Sequence, residues 1–173
     1  MIRSLRSRVE ALTPQIVAWR RELHRYPELS HQEKRTAAYV LETLHKMGFG
    51  DVRTGVGGHG LVAEIDSGRP GKTVAIRADM DALPIQEAVE SDFASQNPGV
   101  MHACGHDAHT AMLLGAAQVL KTLAEEQAFS GKVRLLLQPA EEQMDAEGKS
   151  GGRRMVEEGV MEGVDMVMGQ HVS

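Results

Sequence analysis

The stretch KVRLLLQPAEE (132–142) constrains this chain more than any other. Val133, Leu135, Leu136 and Leu137 make a nearly continuous apolar run, which is how a strand covered on both faces reads, and it runs directly into Glu141 and Glu142. Such a strand needs helices on both sides of its sheet. The neighbouring sequence supplies both partners and cover. TVAIRAD (73–79) is a second, mostly apolar strand and is expected to be central, GLVAEI (60–65) is another, and VDMVMGQHVS (164–173) is a last one whose end carries His171. Between them a long helix is predicted from about Asp107 to Gln127, with Leu113, Ala116, Ala117, Leu120 and Leu123 as its apolar stripe and Asp107 as its N-cap. SGGRRMVEEGVM (150–161) is a short helix. This alternation predicts a three-layer α/β domain with a mainly parallel sheet flanked by helices.

The first third of the chain is helical by its spacing. Ile16, Trp19, Leu23 and Tyr26 recur three or four apart, with Thr13 as N-cap, Pro14 at the first helical position and Pro27 as the stop. Ser30 and Glu33 form a capping box that opens a second helix through Ala37, Val40, Leu41 and Leu44 to Gly48. GRPGK (68–72) is a hairpin or tight loop. Residues 82–103 show no periodicity and are rich in Pro, Gly, Ser and acids, and a loop that long is more often functional than idle.

Composition closes several doors. A length of 173 residues fits one domain, and three Phe, one Trp and two Tyr leave a core built from aliphatic side chains. A net charge of -5 gives no electrostatic reason to bind nucleic acid. The start has no apolar core of a signal peptide, and no run of apolar residues is long enough to span a membrane. The single cysteine makes no internal disulfide and fits a reducing compartment, so a cytoplasmic location is expected.

Ionisable residues gather where strands end. Asp79 and Asp81 follow one strand, Glu141 and Glu142 another, and His171 a third, while Cys104 and His106 lie just before the long helix. The carboxyl ends of parallel strands line one edge, so a single crevice there would receive all seven. A thiolate, imidazoles and carboxylates suit a borderline-soft divalent ion, zinc first, with manganese, cobalt or nickel open. Successive side chains at an extended strand end point apart, so one of Glu141 and Glu142 can ligate while its neighbour faces substrate as a base. His109 lies on the helix stripe and reads as a packed imidazole, as does His24 beneath the site; His102 is read as orienting its loop, and Asp79 as structural at least as readily as ligating. His31, His45 and His59 are expected to be solvated, and Met155, Met161, Met166 and Met168 to fill core gaps.

Five stretches in order, RRELHRYPELSHQE (20–33), AIRADMDALPIQE (75–87), NPGVMHACGHDAHTAMLLGAA (97–117), LLLQPAEE (135–142) and GQHV (169–172), resemble the amino-terminal part of the metal-dependent amidohydrolases of the aminoacylase, hippurate hydrolase and auxin-conjugate hydrolase family. The resemblance implies a zinc-peptidase-like catalytic domain and two divalent metal ions per site. It makes Cys104 the ligand shared by both, His106 and His171 ligands of one, and Glu142 a ligand of the other. It further makes Glu141 the base that activates the water between them, and Asp81 the residue behind the ligands that orients one of them. The implied reaction is hydrolysis of the amide bond of N-acyl amino acids or small peptides. Members of the family are much longer, so residues 1–173 are expected to be the amino-terminal portion of the catalytic domain, without the lid that makes such proteins homodimers and without the last metal ligand. On that reading the parent is an enzyme and this chain alone is weak or inactive. Two other readings remain at this point: a cysteine hydrolase with Cys104 as nucleophile and His102 or His109 as its base, and a metal-binding module without turnover.

Overall fold

The computed structural model describes residues 2–172. Its strands are β1 (Val52–Val56), β2 (Gly60–Asp66), β3 (Thr73–Asp79), β4 (Lys132–Gln138) and β5 (Met166–Gly169), and its helices are α1 (Ile2–Arg25), α2 (Lys34–Lys46), α3 (His106–Glu125) and α4 (Gly151–Glu157). The strands form one mixed sheet in the order β1-β2-β4-β3-β5. β3 pairs in parallel with β4 on one side and β5 on the other, so it is central as its composition predicts. β1 and β2 form a hairpin, and β2 runs antiparallel to β4, so only the half of the sheet that carries the site is parallel. β4 inserts between β2 and β3, and GRPGK is therefore a loop between unpaired strands rather than a hairpin.

The order also explains the layers. The chain leaves β3 in one direction to reach β4 and comes back in the other to reach β5, and right-handed crossovers then put α3 and α4 on opposite faces. Along β4 the apolar side chains divide with a period of two. Leu135 and Leu137 join Trp19, Leu23, Val40, Leu44 and Leu114 under α1, α2 and α3, while Leu136 faces Ala75, Met155 and Val160 under α4. No helix among the described residues is long and apolar enough to cross a membrane.

Several details depart from expectation. α1 starts well before Thr13 and carries Pro14 inside it; the Thr13 hydroxyl bonds back to the Val9 carbonyl at 3.0 Å instead of capping. Ser30 does not cap α2 either. The cap comes from Glu28, whose carboxylate accepts from the backbone N–H groups of Arg35 (3.0 Å) and Thr36 (2.7 Å). α3 begins one residue before Asp107, on Gly105, so Asp107 sits in the first turn with its side chain turned down toward α1. Met155 is buried as predicted, whereas Met166 and Met168 stand 60% and 54% exposed because β5 is an edge strand.

α1 crosses α3 at Gly115, where a Cβ would lie 2.6 Å from the Cδ1 of Ile16. Gly115→Leu is expected to destabilise the fold by about 1–3 kcal/mol through overpacking, whereas Gly115→Ala should stay within about 1 kcal/mol, because better helix propensity offsets a small shift of Ile16. Chemical denaturation of the two variants checks this.

Candidate metal centre

The parallel half of the sheet puts the ends of β3, β4 and β5 on one edge, and α3 starts at that edge. Asp79 and Asp81 come from the end of β3, Glu141 and Glu142 from the turn after β4, and His171 from the residues after β5. Cys104 and His106 enter on either side of Gly105, whose φ of +85° is a left-handed conformation that suits glycine. A Cβ there would also meet Val172 Cγ2 at a distance no side chain tolerates, so the loop and the residue after His171 are in direct contact.

The structure brings the seven predicted residues together. Potential ligand atoms of Cys104, His106 and His171 lie within 4.8 Å of one another, and so do those of His106, Glu141 and Glu142. His106 belongs to both groups. Its Nδ1 faces the Asp81 carbonyl at 2.8 Å, which fixes the proton there and leaves Nε2 as a bare lone pair. That Nε2 is buried without a hydrogen-bond partner, 3.6 Å from Glu142 Oε1 and 3.9 Å from Glu141 Oε2. Glu142 Oε1 is likewise buried and unpartnered. A buried imidazole lone pair and a buried carboxylate oxygen, both without partners, are costly unless positive charge is held against them. These residues therefore fit a divalent metal ion.

The electrostatics point the same way. Burial and the adjacent carboxylates of Glu142, Glu141 and Asp79 push the Cys104 thiol up to about 11, so only a strong local positive charge makes it a thiolate at neutral pH. Burial also works against the charge of Asp81, but the His106 ring, the Ser30 hydroxyl and backbone N–H groups at 141–142 outweigh it and hold Asp81 at about 2. Asp81 is thus a fixed anion behind His106, receiving Ser30 Oγ at 2.6 Å and the Glu142 N–H at 2.9 Å. It contacts the candidate ligands without joining them.

Asp79, His106 and His109 also come close enough to hold an ion, but Asp79 and His109 are already satisfied. Asp79 spends one oxygen on His109 Nδ1 (2.6 Å) and the other on Arg77 Nη1 (2.7 Å), and His109 Nε2 accepts the Val172 N–H at 3.0 Å. The structural readings of Asp79 and His109 hold. The cysteine-hydrolase reading with His102 or His109 as base does not. Both nitrogens of His109 are taken, the partner of the thiol is His171 at 3.3 Å, and the thiol is pushed away from the thiolate rather than toward it. His102 is buried with neither ring nitrogen bonded, and burial pushes it down to about 4, so it is a neutral ring within the loop.

The roles of Glu33 and Ser30 escape sequence reasoning. Glu33 is fully buried, and its Oε1 accepts from the Ala140 N–H at 2.7 Å and the His31 N–H at 3.0 Å. Ala140 has a φ of +48°, a left-handed conformation in the turn that leads into Glu141 and Glu142. Glu33→Ala is expected to cost about 1–3 kcal/mol in unfolding experiments by stranding these N–H groups, whereas Glu33→Gln keeps the acceptor and most of the stability.

Beneath the site, Asp107 Oδ2 meets Arg20 Nε and His24 Nδ1, both at 2.7 Å, and His24 Nε2 reaches Glu87 Oε1 at 3.1 Å. This buried chain ties the loop of residues 82–103 to α1 and to the start of α3.

Residues 75–173 match the model of peptidase family M20/M25/M40. The chain is 48% identical over 168 residues to an N-acyl-L-amino acid amidohydrolase of Geobacillus stearothermophilus, covering 95% of this chain and 42% of the relative. It is 47% identical over 174 residues to thermostable carboxypeptidase 1 of Saccharolobus solfataricus, covering 100% and 43%. The crystal structure of the YXEP protein of Bacillus subtilis, described as a dinuclear metal binding peptidase, superposes with a TM-score of 0.84 at 40% identity, over 95% of this chain and 44% of that one. The chain thus spans about two fifths of the length of the proteins it matches.

Proposed function

The chain belongs to peptidase family M20/M25/M40, and on that premise we propose that it carries the residues around a dinuclear metal site for hydrolysing the amide bond of N-acyl amino acids or related dipeptides. The observation that carries this reading is the bare Nε2 of His106, buried among Cys104, His171, Glu141 and Glu142. Cys104 would be shared by the two ions, His106 and His171 would complete the protein ligands of one, and Glu142 would bind the other. Zinc, manganese, cobalt or nickel all suit this donor set. Bound there, the ions supply a polarised amide carbonyl and a water acidic enough to attack it.

The chain's own residues do the rest. Glu141, with 41% of its side chain exposed, has room to take a proton from the attacking water and return it to the departing amine. Asp81 holds the proton of His106 on Nδ1, which keeps Nε2 a donor to metal. Relatives named as an amidohydrolase and as a carboxypeptidase support an amide substrate beside a free amino-acid carboxylate.

The test is metal content of the purified protein and of Cys104→Ala, with hydrolysis of N-acetyl and hippuryl amino acids measured alongside. Metal held by the native chain and lost in the variant is expected, with turnover weak in this chain alone and dependent on added metal. A folded chain that takes up no metal, with hydrolysis stopped by a thiol alkylator and unaffected by chelator, would overturn the reading. Metal uptake without turnover would support the site and count against hydrolysis by this chain.

A further inference from the structure

His109 makes no contact that a ligand or a base could use, yet it is buried at the edge of the site, and its ring lies 4.8 Å from that of His171 in a T-shaped arrangement. The backbone around His171 explains why. β5 pairs only with β3, and that register ends at Gly169. No ladder bond holds residues 170–172, and among the described residues the one hydrogen bond to their backbone is Val172 N–H to His109 Nε2 at 3.0 Å. His109 is fixed in turn. Its Nδ1–H donates to Asp79 at 2.6 Å, Asp79 is paired with Arg77, and Arg77 Nε donates to Gln138 Oε1 at 2.8 Å. A chain of four side chains thus runs from the end of β4 through β3 and α3 to the residue after His171.

We propose that His109 is the positioning residue for His171: the Asp79 carboxylate fixes its tautomer, and its Nε2 holds the Val172 N–H so that the His171 ring stands over Cys104. This rests on the reading of Cys104, His106 and His171 as metal ligands. The packing supports a single seat for Val172, because its side chain lies against the bare Cα of Gly105 between the other two. Without the bond to His109, no hydrogen bond among the described residues holds the backbone of residues 170–172, and a ligand on a loosely held segment must be ordered each time metal binds. A lost partner behind a ligand of this kind costs metal affinity on the order of 10–100-fold.

Cobalt(II) titration separates this from a general loss of structure. The near-ultraviolet thiolate-to-cobalt band reports Cys104, and the affinity reports the full set. For His109→Leu the band is expected to persist while affinity falls on the order of 10–100-fold, measured at a temperature where the variant is still folded. The same substitution on a His171→Ala background should then change affinity little, because the ligand that His109 positions is already gone. Val172→Pro, which removes the N–H donor and fixes the local backbone but leaves the buried ring in place, should weaken binding in the same way. If His109→Leu unfolds, Val172→Pro alone decides. Unchanged affinity in Val172→Pro, or an equal loss from His109→Leu with and without His171, would overturn the proposal. No cobalt band in the parent would instead overturn the metal site on which it rests.

Discussion

On the proposed function, Glu141→Gln is expected to lower kcat for N-acyl amino acid hydrolysis by about 10²–10⁴ while metal content and melting temperature stay near their native values. The two consecutive carboxylates occupy different surroundings, and that difference is the reason. Glu142 has only 20% of its side chain exposed, its Oε1 is buried without a partner, and its backbone N–H is tied to Asp81. That hold suits the ligand role proposed for it. Glu141 has 41% of its side chain exposed, and its Oε2 is the more distant carboxylate oxygen from His106 Nε2, so it can meet a substrate. A glutamine in place of Glu141 keeps size and polarity but cannot take a proton, so binding survives and the proton transfer is lost. Glu142→Gln should do the reverse and lose metal first. Metal analysis and steady-state kinetics on the pair distinguish the outcomes. Metal loss from Glu141→Gln equal to that from Glu142→Gln would remove the division of labour.

What the sequence discloses is whatever depends on short-range pattern. β3, β4 and α3 are legible because their apolar residues follow a run or a stripe, and burial on both faces demands it. The site is legible for a related reason: strand ends are visible in sequence, and ionisable residues placed there converge whenever the strands are parallel. β1 is not legible. Its burial is confined almost to Val56, and an edge strand reading Val-Arg-Thr-Gly-Val carries no apolar alternation. The start of α1 is hidden because Leu5 and Val9 are exposed and give no strong stripe, while Thr13-Pro14 imitates a helix start.

The parts that bond over long distances leave no local trace. Glu33 looks like half of a capping box, yet it serves Ala140, 107 positions later. Ser30 looks like the other half and serves Asp81. Both pairings depend on how α2 docks against the sheet edge, which no spacing rule encodes. His109 does lie on a helical stripe, but its hold on the residue after His171 depends on β5 lying next to β3, and strand order is not written in either segment.

Asp107→Asn is the second substitution with a large expected effect, on stability rather than chemistry. The Asp107 carboxylate is fully buried between Arg20 and His24, and its second oxygen accepts the Ala108 N–H at 2.9 Å. Removing one charge from a buried pair leaves the others uncompensated, and because Arg20 is 34% exposed the expected cost is toward the low end, about 3 kcal/mol. The pH dependence identifies the cause. The hydrogen bond to Asp107 raises His24 above its ordinary 6.5, against the effect of burial. That stabilisation is complete below 6.5 and is lost as pH rises through the raised value. Burial acts against the Asp107 charge, but the His24 bond and the nearby cations outweigh it and lower the carboxyl below its ordinary 3.8. Its share is complete above 3.8 and is lost as pH falls through the lowered value. The stability gap between the native protein and the Asp107→Asn variant should therefore be widest from about pH 4 to 6.5 and narrow on either side, as read by chemical denaturation across pH. A gap of constant size from acid to alkaline pH would mean that shape and the Ala108 bond, not the charges, make Asp107 matter.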